Sequence, residues 1–219
     1  MCGRYYVDEE SKQELLKIIR NLDKRLQASN TAKSPSPYHI KIGEIYPSNI
    51  VPIIAKGKNS PCYEPMSWGF TTSKNHSLII NARAESANQK PLFSNSLKEN
   101  RIVVPASGFF EWSHDEKKDK YYFTDPNSPI LYMAGIAKPD FDLSHFVILT
   151  TCANSSMMQF HNRMPVLLKK EEVADYLTSE QYCNELLHRT PYELSYRAIE
   201  KEKQNSGEVN NYTQMRLPL

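Results

Sequence analysis

Short apolar runs, separated by polar segments, dominate the chain from residue 50 to residue 168. Their lengths and their content of β-branched and aromatic residues are typical of strands rather than helices. The predicted strands, after a short apolar start at Tyr5–Val7, are Ile50–Ala55, Leu78–Ala82, Arg101–Trp112, Tyr121–Phe123, Ile130–Ala137, Phe146–Cys152 and Met164–Leu168. This pattern predicts a mostly antiparallel β core.

Helical periodicity is found near both ends of the chain. Between residues 15 and 26, apolar side chains recur at helical spacing, and the preceding Asp8 can cap such a helix. Glu171–Leu177 and Ser179–Leu187 predict two more short helices, with Ser179 as the cap of the second. These helices are expected at the margins of the β core, so the predicted fold class is α+β.

Polar segments mark the predicted loops. Residues 28–37 are rich in Ser, Pro, Asn and Thr and predict a loop. Ser113–Lys120 lies between two predicted strands and predicts a hairpin loop whose lysines form a solvated tip. The charged residues 200–208 predict a flexible tail over residues 200–219. A chain of 219 residues is expected to form a single domain over residues 1–219.

Composition narrows the classes of partner. With 27 basic and 25 acidic residues, the chain lacks the charge of a protein that wraps duplex DNA, so any nucleic-acid contact is expected to be local. No stretch approaches the roughly 20 apolar residues that span a bilayer, and a cytoplasmic protein without membrane contact is expected. The four cysteines form no C-x-x-C pair, which argues against a disulfide framework and a zinc site. No metal or cofactor is predicted.

Cys2 is unusual by its position. Methionine aminopeptidases normally remove Met1 when the second residue is small, and this would leave a cysteine with a free α-amine. In ordinary surroundings an α-amine titrates at about 7.7–8.0 and a thiol at about 8.5, so both supply an unprotonated fraction near neutral pH. An amine attacks an aldehyde to give an imine, and the neighbouring thiolate can then close a five-membered thiazolidine ring. Position alone does not separate this chemistry from an incidental cysteine.

Two further positions offer proton transfer. Glu111 ends an apolar run that begins at Ile102, and burial of a lone carboxyl among aromatic residues suits a general acid or base. The alternative is a strand-end glutamate that faces water. His161 lies two residues before Arg163; an imidazole serves proton transfer near pH 7, and a guanidinium suits a phosphate. A histidine satisfied in the core and a surface arginine are the alternative here.

Polar side chains also follow the predicted strand that ends at Ala82. Alternation along a strand would place Asn81, Arg83 and Glu85 on one face. An amide, a cation and an acid on one face fit either a solvated edge or a functional site, and geometry alone does not choose between them.

Five motifs, taken together, resemble the SRAP family. The motifs are Met1–Tyr5 (MCGRY), Trp68–Phe70 (WGF), Asn81–Ser86 (NARAES), Val104–Trp112 (VPASGFFEW) and His161–Pro165 (HNRMP). This is the family of SOS-response-associated peptidases, whose members cross-link to abasic sites in single-stranded DNA. The motifs occur in the family's order between Cys2 and about Leu168, and five in order are more specific than any one of them.

The resemblance implies a barrel-like α+β fold and a role for each matched residue. Cys2 would form the thiazolidine with the ring-opened sugar aldehyde, and Asn81 would hold the N-terminal residue by hydrogen bonds. Glu111 would act as acid and base on the amine and imine, while His161 would assist ring opening or its reversal. The residues expected to contact DNA are Arg4, Trp68, Arg83, Trp112, Thr150, Thr151 and Arg163.

The resemblance also implies a partner and side reactions. The expected partner is single-stranded DNA containing abasic sites, bound by a monomer that joins the nucleoid when it is on DNA. An imine without ring closure would promote β-elimination, so weak lyase activity is expected. Removal of Met1 could also be the protein's own peptidase activity.

Two segments depart from the family pattern. Where the family commonly has an Asn-Ile-Ala-Pro-like stretch after the first helix, this chain has residues 38–43 (YHIKIG). Residues 71–74 (TTSK) lack the usual proline and second tryptophan. The chemistry is expected to survive, with altered DNA affinity or preference for particular DNA structures.

Two other classes of function fit the same residues. The first is a thiol peptidase with Cys2 as nucleophile and His161 as base. The second is a non-catalytic single-strand binder that uses only the arginines and tryptophans, and it predicts salt-sensitive binding that ordinary single strands compete away.

Overall fold

A computed structural model describes residues 2–8, 41–71 and 77–200. The strands are β1 Arg4–Val7, β2 Gly43–Ile45, β3 Ile50–Ala55, β4 Cys62–Trp68, β5 Phe70–Thr71, β6 Leu78–Ile79, β7 Asn81–Arg83, β8 Arg101–Ala106, β9 Gly108–Trp112, β10 Lys120–Thr124, β11 Leu131–Lys138, β12 His145–Cys152, β13 Arg163–Pro165, β14 Leu167–Leu168 and β15 Ser195–Ile199. The helices are α1 Ala84–Ala87, α2 Pro91–Glu99, α3 Ser155–Met158, α4 Val173–Thr178 and α5 Glu180–His188, with a 3-10 turn at Lys170–Glu172.

The strands form two main sheets. The five-stranded sheet has the order β15-β10-β9-β1-β2, and all of its neighbours are antiparallel. The eight-stranded sheet has the order β13-β12-β4-β3-β8-β11-β14, with β7 added on β12. Its pairings are antiparallel except where β12 meets β4 and β7. The predicted α+β class with a mainly antiparallel core is therefore confirmed.

The eight-stranded sheet closes on itself, because β11 also pairs with β12. The ring therefore runs β12-β4-β3-β8-β11 and back to β12. Two of its pairings are short, with two residue pairs each: β12 with β4, which is parallel, and β3 with β8. The expected barrel thus takes the form of a closed ring of pairings rather than a clear barrel.

The core lies between the two sheets and under the helices. Every residue of β8 is buried, and β11 is buried from Leu131 to Ala137. Such continuous burial explains why these strands are apolar runs without alternation. Gly108 starts β9 at a close approach of strands, since a Cβ there would collide with the carbonyl oxygen of Phe123. This glycine lets β9, which carries Glu111, pack tightly on β10.

All of the predicted strands lie within the described residues and are confirmed, although Leu78–Ala82 and Met164–Leu168 are each divided into two short strands. Ile50–Ala55 matches β3 in full. The long run Arg101–Trp112 is interrupted at Ser107, where the chain leaves the eight-stranded sheet and enters the five-stranded one. Residues 113–119 form the predicted hairpin loop between the antiparallel strands β9 and β10, but Lys120, which was expected in the solvated tip, begins β10 opposite Trp112.

The two predicted C-terminal helices are also confirmed. The first comprises the 3-10 turn and α4, and the second is α5. The hydroxyl of Ser179 accepts a hydrogen bond from the backbone N–H of Tyr182 at 3.1 Å, which makes Ser179 the predicted cap. Strands β2, β4, β5 and β15 and helices α1, α2 and α3 were not predicted.

Several predictions fall outside the described residues. These are the helix over residues 15–26, the loop over 28–37 and the tail beyond residue 200. The departures from the family pattern at residues 38–43 and 71–74 are only partly covered. Among the helices of the described ranges, none has the length and apolar character needed to cross a membrane.

Candidate functional site

Cys2 lies immediately before β1 and is buried. The residue is 1% exposed, and its Sγ donates a weak hydrogen bond to the carbonyl oxygen of Arg4 at 3.8 Å. Strand β1 pairs with β9 so that Arg4 lies opposite Phe110. The next residues of these antiparallel strands are Gly3 and Glu111, so the register brings the start of the chain beside the end of β9 that carries Glu111.

Asn81 holds the backbone of Cys2. It begins β7, which is fixed in register by parallel pairing of Asn81 with Ile148 on β12. Its Nδ2 donates a hydrogen bond to the carbonyl oxygen of Cys2 at 3.0 Å. Its Oδ1 is buried and has no hydrogen-bond partner among the residues that the structure describes. Buried polar atoms are normally paired, so this oxygen is available to a further donor at the chain start.

Glu111 lies on the core side of β9 and is 7% exposed. Burial raises the pKa of the Cys2 thiol, and the negative charge of Glu111 raises it further. The expectation that the thiol supplies a useful thiolate fraction without a special environment is therefore wrong. The environment of Cys2 keeps its thiol protonated near neutral pH, and any thiolate chemistry needs a base close by.

His161 is fixed in one orientation by the backbone. Its Nδ1 accepts a hydrogen bond from the backbone N–H of Arg163 at 2.8 Å, so a neutral imidazole carries its proton on Nε2. Burial lowers the pKa of His161 and so does the charge of His114, whereas the charge of Glu111 acts in the opposite direction. The His114 and His161 rings lie 5.6 Å apart between centroids. At neutral pH, His161 is therefore uncharged and can donate from Nε2, and its pKa depends on the charge of Glu111.

Cys2, Asn81, Glu111 and His161 together are called the Cys2 site below. Asn81 contacts Cys2 directly, and the charge of Glu111 acts on both Cys2 and His161. The structure therefore brings the four residues that sequence reasoning placed in the chemistry to one region. In the described ranges, no three His, Cys, Asp or Glu side chains are grouped so that they could hold a metal ion.

The guanidinium of Arg163 bonds to other groups of the protein. Its guanidinium forms a two-pronged ion pair with Glu85, in which Nη2 donates to Oε2 at 2.8 Å. Nη2 also donates to the carbonyl oxygen of Thr150 at 2.6 Å. The guanidinium holds the pKa of Glu85 below its usual range. Since Glu85 occupies the guanidinium face that a phosphate would use, the geometry favours a positioning role for Arg163 through its backbone contact with His161.

Trp68 and Thr150 are fully buried, at 0% exposed each. Trp68 stacks on Phe146 with ring centroids 6.3 Å apart, and its indole N–H donates to the carbonyl oxygen of Ile80 at 3.0 Å. The hydroxyl of Thr150 donates to the carbonyl oxygen of Ala82 at 3.4 Å. Both side chains are therefore core residues in this structure, and their burial does not favour the DNA contacts expected of them.

The remaining expected DNA contacts are accessible. Arg83 is exposed at the end of β7, while Arg4, Trp112 and Thr151 are partly exposed. The Arg4 guanidinium lies over the Trp112 ring at 5.1 Å from the centroid. Sequence reasoning missed the neighbours Glu44 and Lys120, both of which are also partly exposed. Their proximity depends on strand pairing between distant segments, so no local signal in the sequence pointed to them.

The chain is similar to the SRAP family over most of its length. The family model described as SOS response associated peptidase (SRAP) matches residues 1–206, and the chain belongs to this family. A solved structure from Bacteroides thetaiotaomicron has the same fold, with a TM-score of 0.70 and 23% sequence identity over 91% of this chain and 92% of that chain.

Several curated proteins are similar over most of their length. Abasic site processing protein YoqW of Bacillus subtilis (strain 168) is 29% identical over 88% of each chain. Abasic site processing protein YoaM of the same organism is 30% identical over 76% of this chain and 86% of its own. Abasic site processing protein YedK of Escherichia coli (strain K12) is 23% identical over 82% of this chain and 81% of its own.

Proposed function

We propose that the protein captures abasic sites in single-stranded DNA by forming a covalent thiazolidine between Cys2 and the ring-opened sugar, which shields the lesion from strand cleavage. One observation carries the proposal: Asn81, Glu111 and His161 meet around a buried cysteine at the second position of the chain. The names of the similar abasic site processing proteins support the class of lesion.

The chemistry starts when removal of Met1, by an aminopeptidase or by the protein itself, makes Cys2 the N-terminal residue. Its amine adds to the C1 aldehyde of the open sugar, and the resulting carbinolamine loses water to give an imine. The thiol then adds across the C=N bond, so that sulfur bonds to C1 and the thiol proton passes to nitrogen. One water leaves overall, and ring closure is intramolecular and therefore fast.

Each residue of the Cys2 site has a part in these proton movements. Asn81 holds the Cys2 carbonyl with Nδ2 and offers Oδ1 to the amine. Glu111 accepts a proton from the amine, returns it to the departing hydroxyl of the carbinolamine, and relieves the thiol of its proton during ring closure. This last step matters because the buried thiol has a raised pKa. His161 donates from Nε2 to the sugar ring oxygen as the ring opens, and takes the proton back in reversal.

DNA is held by accessible side chains around this buried centre. Arg4 and Arg83 bind phosphates that flank the lesion, Thr151 adds a hydroxyl contact, and Trp112 stacks on a base. An imine that escapes ring closure promotes β-elimination, which gives a weak lyase side reaction. We infer that a monomer acts in the cytoplasm and joins the nucleoid when it is on DNA.

The geometry favours this proposal over a thiol peptidase. A peptidase of that kind needs a thiolate activated by a neighbouring imidazole. Here burial and Glu111 raise the pKa of the Cys2 thiol, and Nδ1 of His161 is already bonded to the backbone of Arg163. An amine nucleophile with a carboxylic acid beside it fits these surroundings better.

A denaturing gel tests the proposal. Protein shown by mass spectrometry to begin with Cys2 should give a heat-stable shifted band with an oligonucleotide that contains an abasic site. Cys2→Ala should lose the band, while Cys183→Ala, which changes a buried cysteine on α5, should keep it. Cys2→Ser retains the amine but loses the sulfur, so it should shift the reaction from stable capture toward strand cleavage.

Three outcomes would contradict the proposal. Correctly processed protein that leaves the abasic oligonucleotide unattached would rule out the covalent function. A new protein terminus beyond Met1 would favour the peptidase. Binding that is lost on denaturation, and that intact single strands compete away, would favour a non-catalytic binder.

A further inference from the structure

Glu44 lies between two cations on the outer side of the five-stranded sheet. The Nζ of Lys120 donates to Oε1 of Glu44 at 2.7 Å, and Nη1 of Arg4 donates to the same oxygen at 3.3 Å. All three side chains are partly exposed: 39% for Arg4, 26% for Glu44 and 22% for Lys120. Strand pairing holds this arrangement, because Glu44 on β2 lies opposite Tyr6 and Lys120 on β10 lies opposite Trp112.

The two cations also lie over aromatic rings. The Arg4 guanidinium is 4.5 Å from the Tyr46 ring centroid and 5.1 Å from that of Trp112. The Lys120 ammonium is 3.8 Å from the centroid of the buried Phe110 ring and 5.8 Å from that of Trp112. Arg4, Glu44, Tyr46, Trp112 and Lys120 are called the Glu44 cluster below. Cations beside exposed aromatic rings are the combination that binds single-stranded nucleic acid, in which phosphates meet charge and bases meet rings.

The Glu44 carboxylate is not expected on a surface that binds single-stranded nucleic acid. A phosphate that approaches Arg4 and Lys120 meets cations whose charge Glu44 already balances, and it meets the negative charge of Glu44 at short range. Ion pairs between partly exposed side chains contribute little to stability, so this one can exchange for a phosphate. The arrangement weakens the binding of any strand without forbidding it.

We propose that Glu44 is a specificity-determining residue that competes with DNA phosphate for Arg4 and Lys120. It keeps the affinity for intact single strands low, so that retention of a strand depends on the covalent bond at Cys2 rather than on charge. This inference rests on the proposed function, because it assumes that the surface beside Cys2 receives single-stranded DNA.

Equilibrium binding of an undamaged single-stranded oligonucleotide tests the inference. Fluorescence anisotropy over a series of salt concentrations should give a Kd for Glu44→Gln that is about threefold to tenfold lower than for the wild type. The dependence of log K on log salt should become steeper by about 0.7 for each phosphate newly held. Glu185→Gln is the matched control, since it makes the same change of net charge at an exposed position on α5.

Two more variants sharpen the result. Adding Lys120→Gln to Glu44→Gln should return the Kd toward the wild-type value, because one of the released cations is gone. In a cross-linking assay with an abasic strand, Glu44→Gln should need several-fold less undamaged competitor to halve the yield. Glu44→Asp, whose carboxylate is one carbon shorter, should fall between the wild type and Glu44→Gln.

The inference fails if Glu44→Gln binds the undamaged strand as weakly as the wild type or more weakly. It also fails if Glu185→Gln gains as much affinity, since net charge alone would then explain the effect. The undamaged strand carries no aldehyde, so these outcomes do not depend on covalent capture. Wild-type protein that binds intact strands but never cross-links to abasic ones would instead overturn the proposed function alone.

Discussion

The Cys2 site and the Glu44 cluster are both polar, but they differ in burial. In the Cys2 site, Glu111 is 7% exposed, Cys2 is 1% exposed, and the Asn81 amide is fixed on a backbone carbonyl at 3.0 Å. In the Glu44 cluster, two partly exposed cations share a single carboxylate oxygen. Interactions are strong and hard to replace in a buried site, whereas those at a surface are weak and exchangeable. The first arrangement suits bond making, and the second suits reversible contact with a polyanion.

The largest expected effect of a single change lies in the chemistry of the Cys2 site. Glu111→Gln keeps the shape of the side chain but cannot take a proton, so the rate of cross-linking should fall by about 10²- to 10⁴-fold. The affinity for an oligonucleotide with an unreactive abasic analogue should stay within about twofold of the wild type, because Glu111 faces the core. Single-turnover gels and anisotropy measure the two quantities.

The matched control for this prediction is Glu116→Gln, an exposed position in the hairpin loop that follows β9. It should leave the cross-linking rate close to that of the wild type. Equal losses of rate and affinity in Glu111→Gln would mean that Glu111 acts in binding, and the contrast between the two regions would disappear.

The next largest effects are expected at the two tryptophans. Replacing Trp68 should mainly lower stability, whereas replacing Trp112 should mainly weaken DNA binding. Trp68→Ala removes a fully buried ring and should lower the free energy of unfolding by about 3–5 kcal/mol. Trp112→Ala should cost much less stability but should weaken the binding of single strands by about 1–3 kcal/mol through lost stacking. Urea denaturation and anisotropy check the pair. Similar stability losses in both variants would show that Trp112 belongs to the core.

The same pair shows what the sequence could and could not predict. The family motifs pointed to both tryptophans alike, but exposure depends on which neighbours fold against each ring. Trp68 packs on Phe146, which lies 78 positions further along the chain, whereas Trp112 lies at a strand end beside Arg4. The strand pattern placed Trp112 in a strand but missed the strand that carries Trp68, and it did not predict which of the two rings is accessible.

The grouping of the Cys2 site could be predicted more fully than that of the Glu44 cluster. Cys2, Asn81, Glu111 and His161 belong to motifs that the resemblance to the family already singled out, and the fold brings these residues to one region. The sequence around Glu44 carries no such signal, because the contacts of Glu44 depend on the pairing of β2 with β1 and on Lys120 from β10. Helix α2 was missed because its sequence has few apolar residues, although Pro91 at its first turn is a typical start signal.

Arg163 and Arg4 give a smaller and more specific contrast. Arg163→Lys cannot keep the two-pronged contact with Glu85, so it should lower the free energy of unfolding by about 1–3 kcal/mol and slow cross-linking through His161. Its salt dependence of DNA binding should match that of the wild type. Arg4→Gln should instead reduce the slope of log K against log salt by about 0.7 with little loss of stability. A reduced slope in Arg163→Gln, which removes the charge, would instead support the phosphate contact that the sequence predicted.

The smallest expected effect is a change in the titration of His161. The imidazole of His161 has a pKa below its ordinary value, with burial as the largest cause. His114 lowers the pKa further and Glu111 raises it, so His114→Gln should raise the pKa of His161 and Glu111→Gln should lower it. NMR titration of the imidazole protons measures both shifts, with His188→Gln on α5 as the control that changes neither.

The lowered pKa of His161 also makes the stability of the protein depend on pH. Since the pKa of His161 is lower in the folded protein than in the unfolded chain, the unfolded chain binds more protons between the two values. The contribution of His161 to the free energy of unfolding is therefore complete above the ordinary pKa of about 6.5, and it falls as the pH drops below that value. His114→Gln should narrow the pH range over which this contribution changes, and His161→Gln should remove the change altogether. Urea titrations at a series of pH values would measure both effects. If the free energy of unfolding depends on pH in the same way in the wild type, His114→Gln and His161→Gln, then His161 exchanges protons freely with solvent. The Cys2 site would in that case be as open to solvent as the Glu44 cluster.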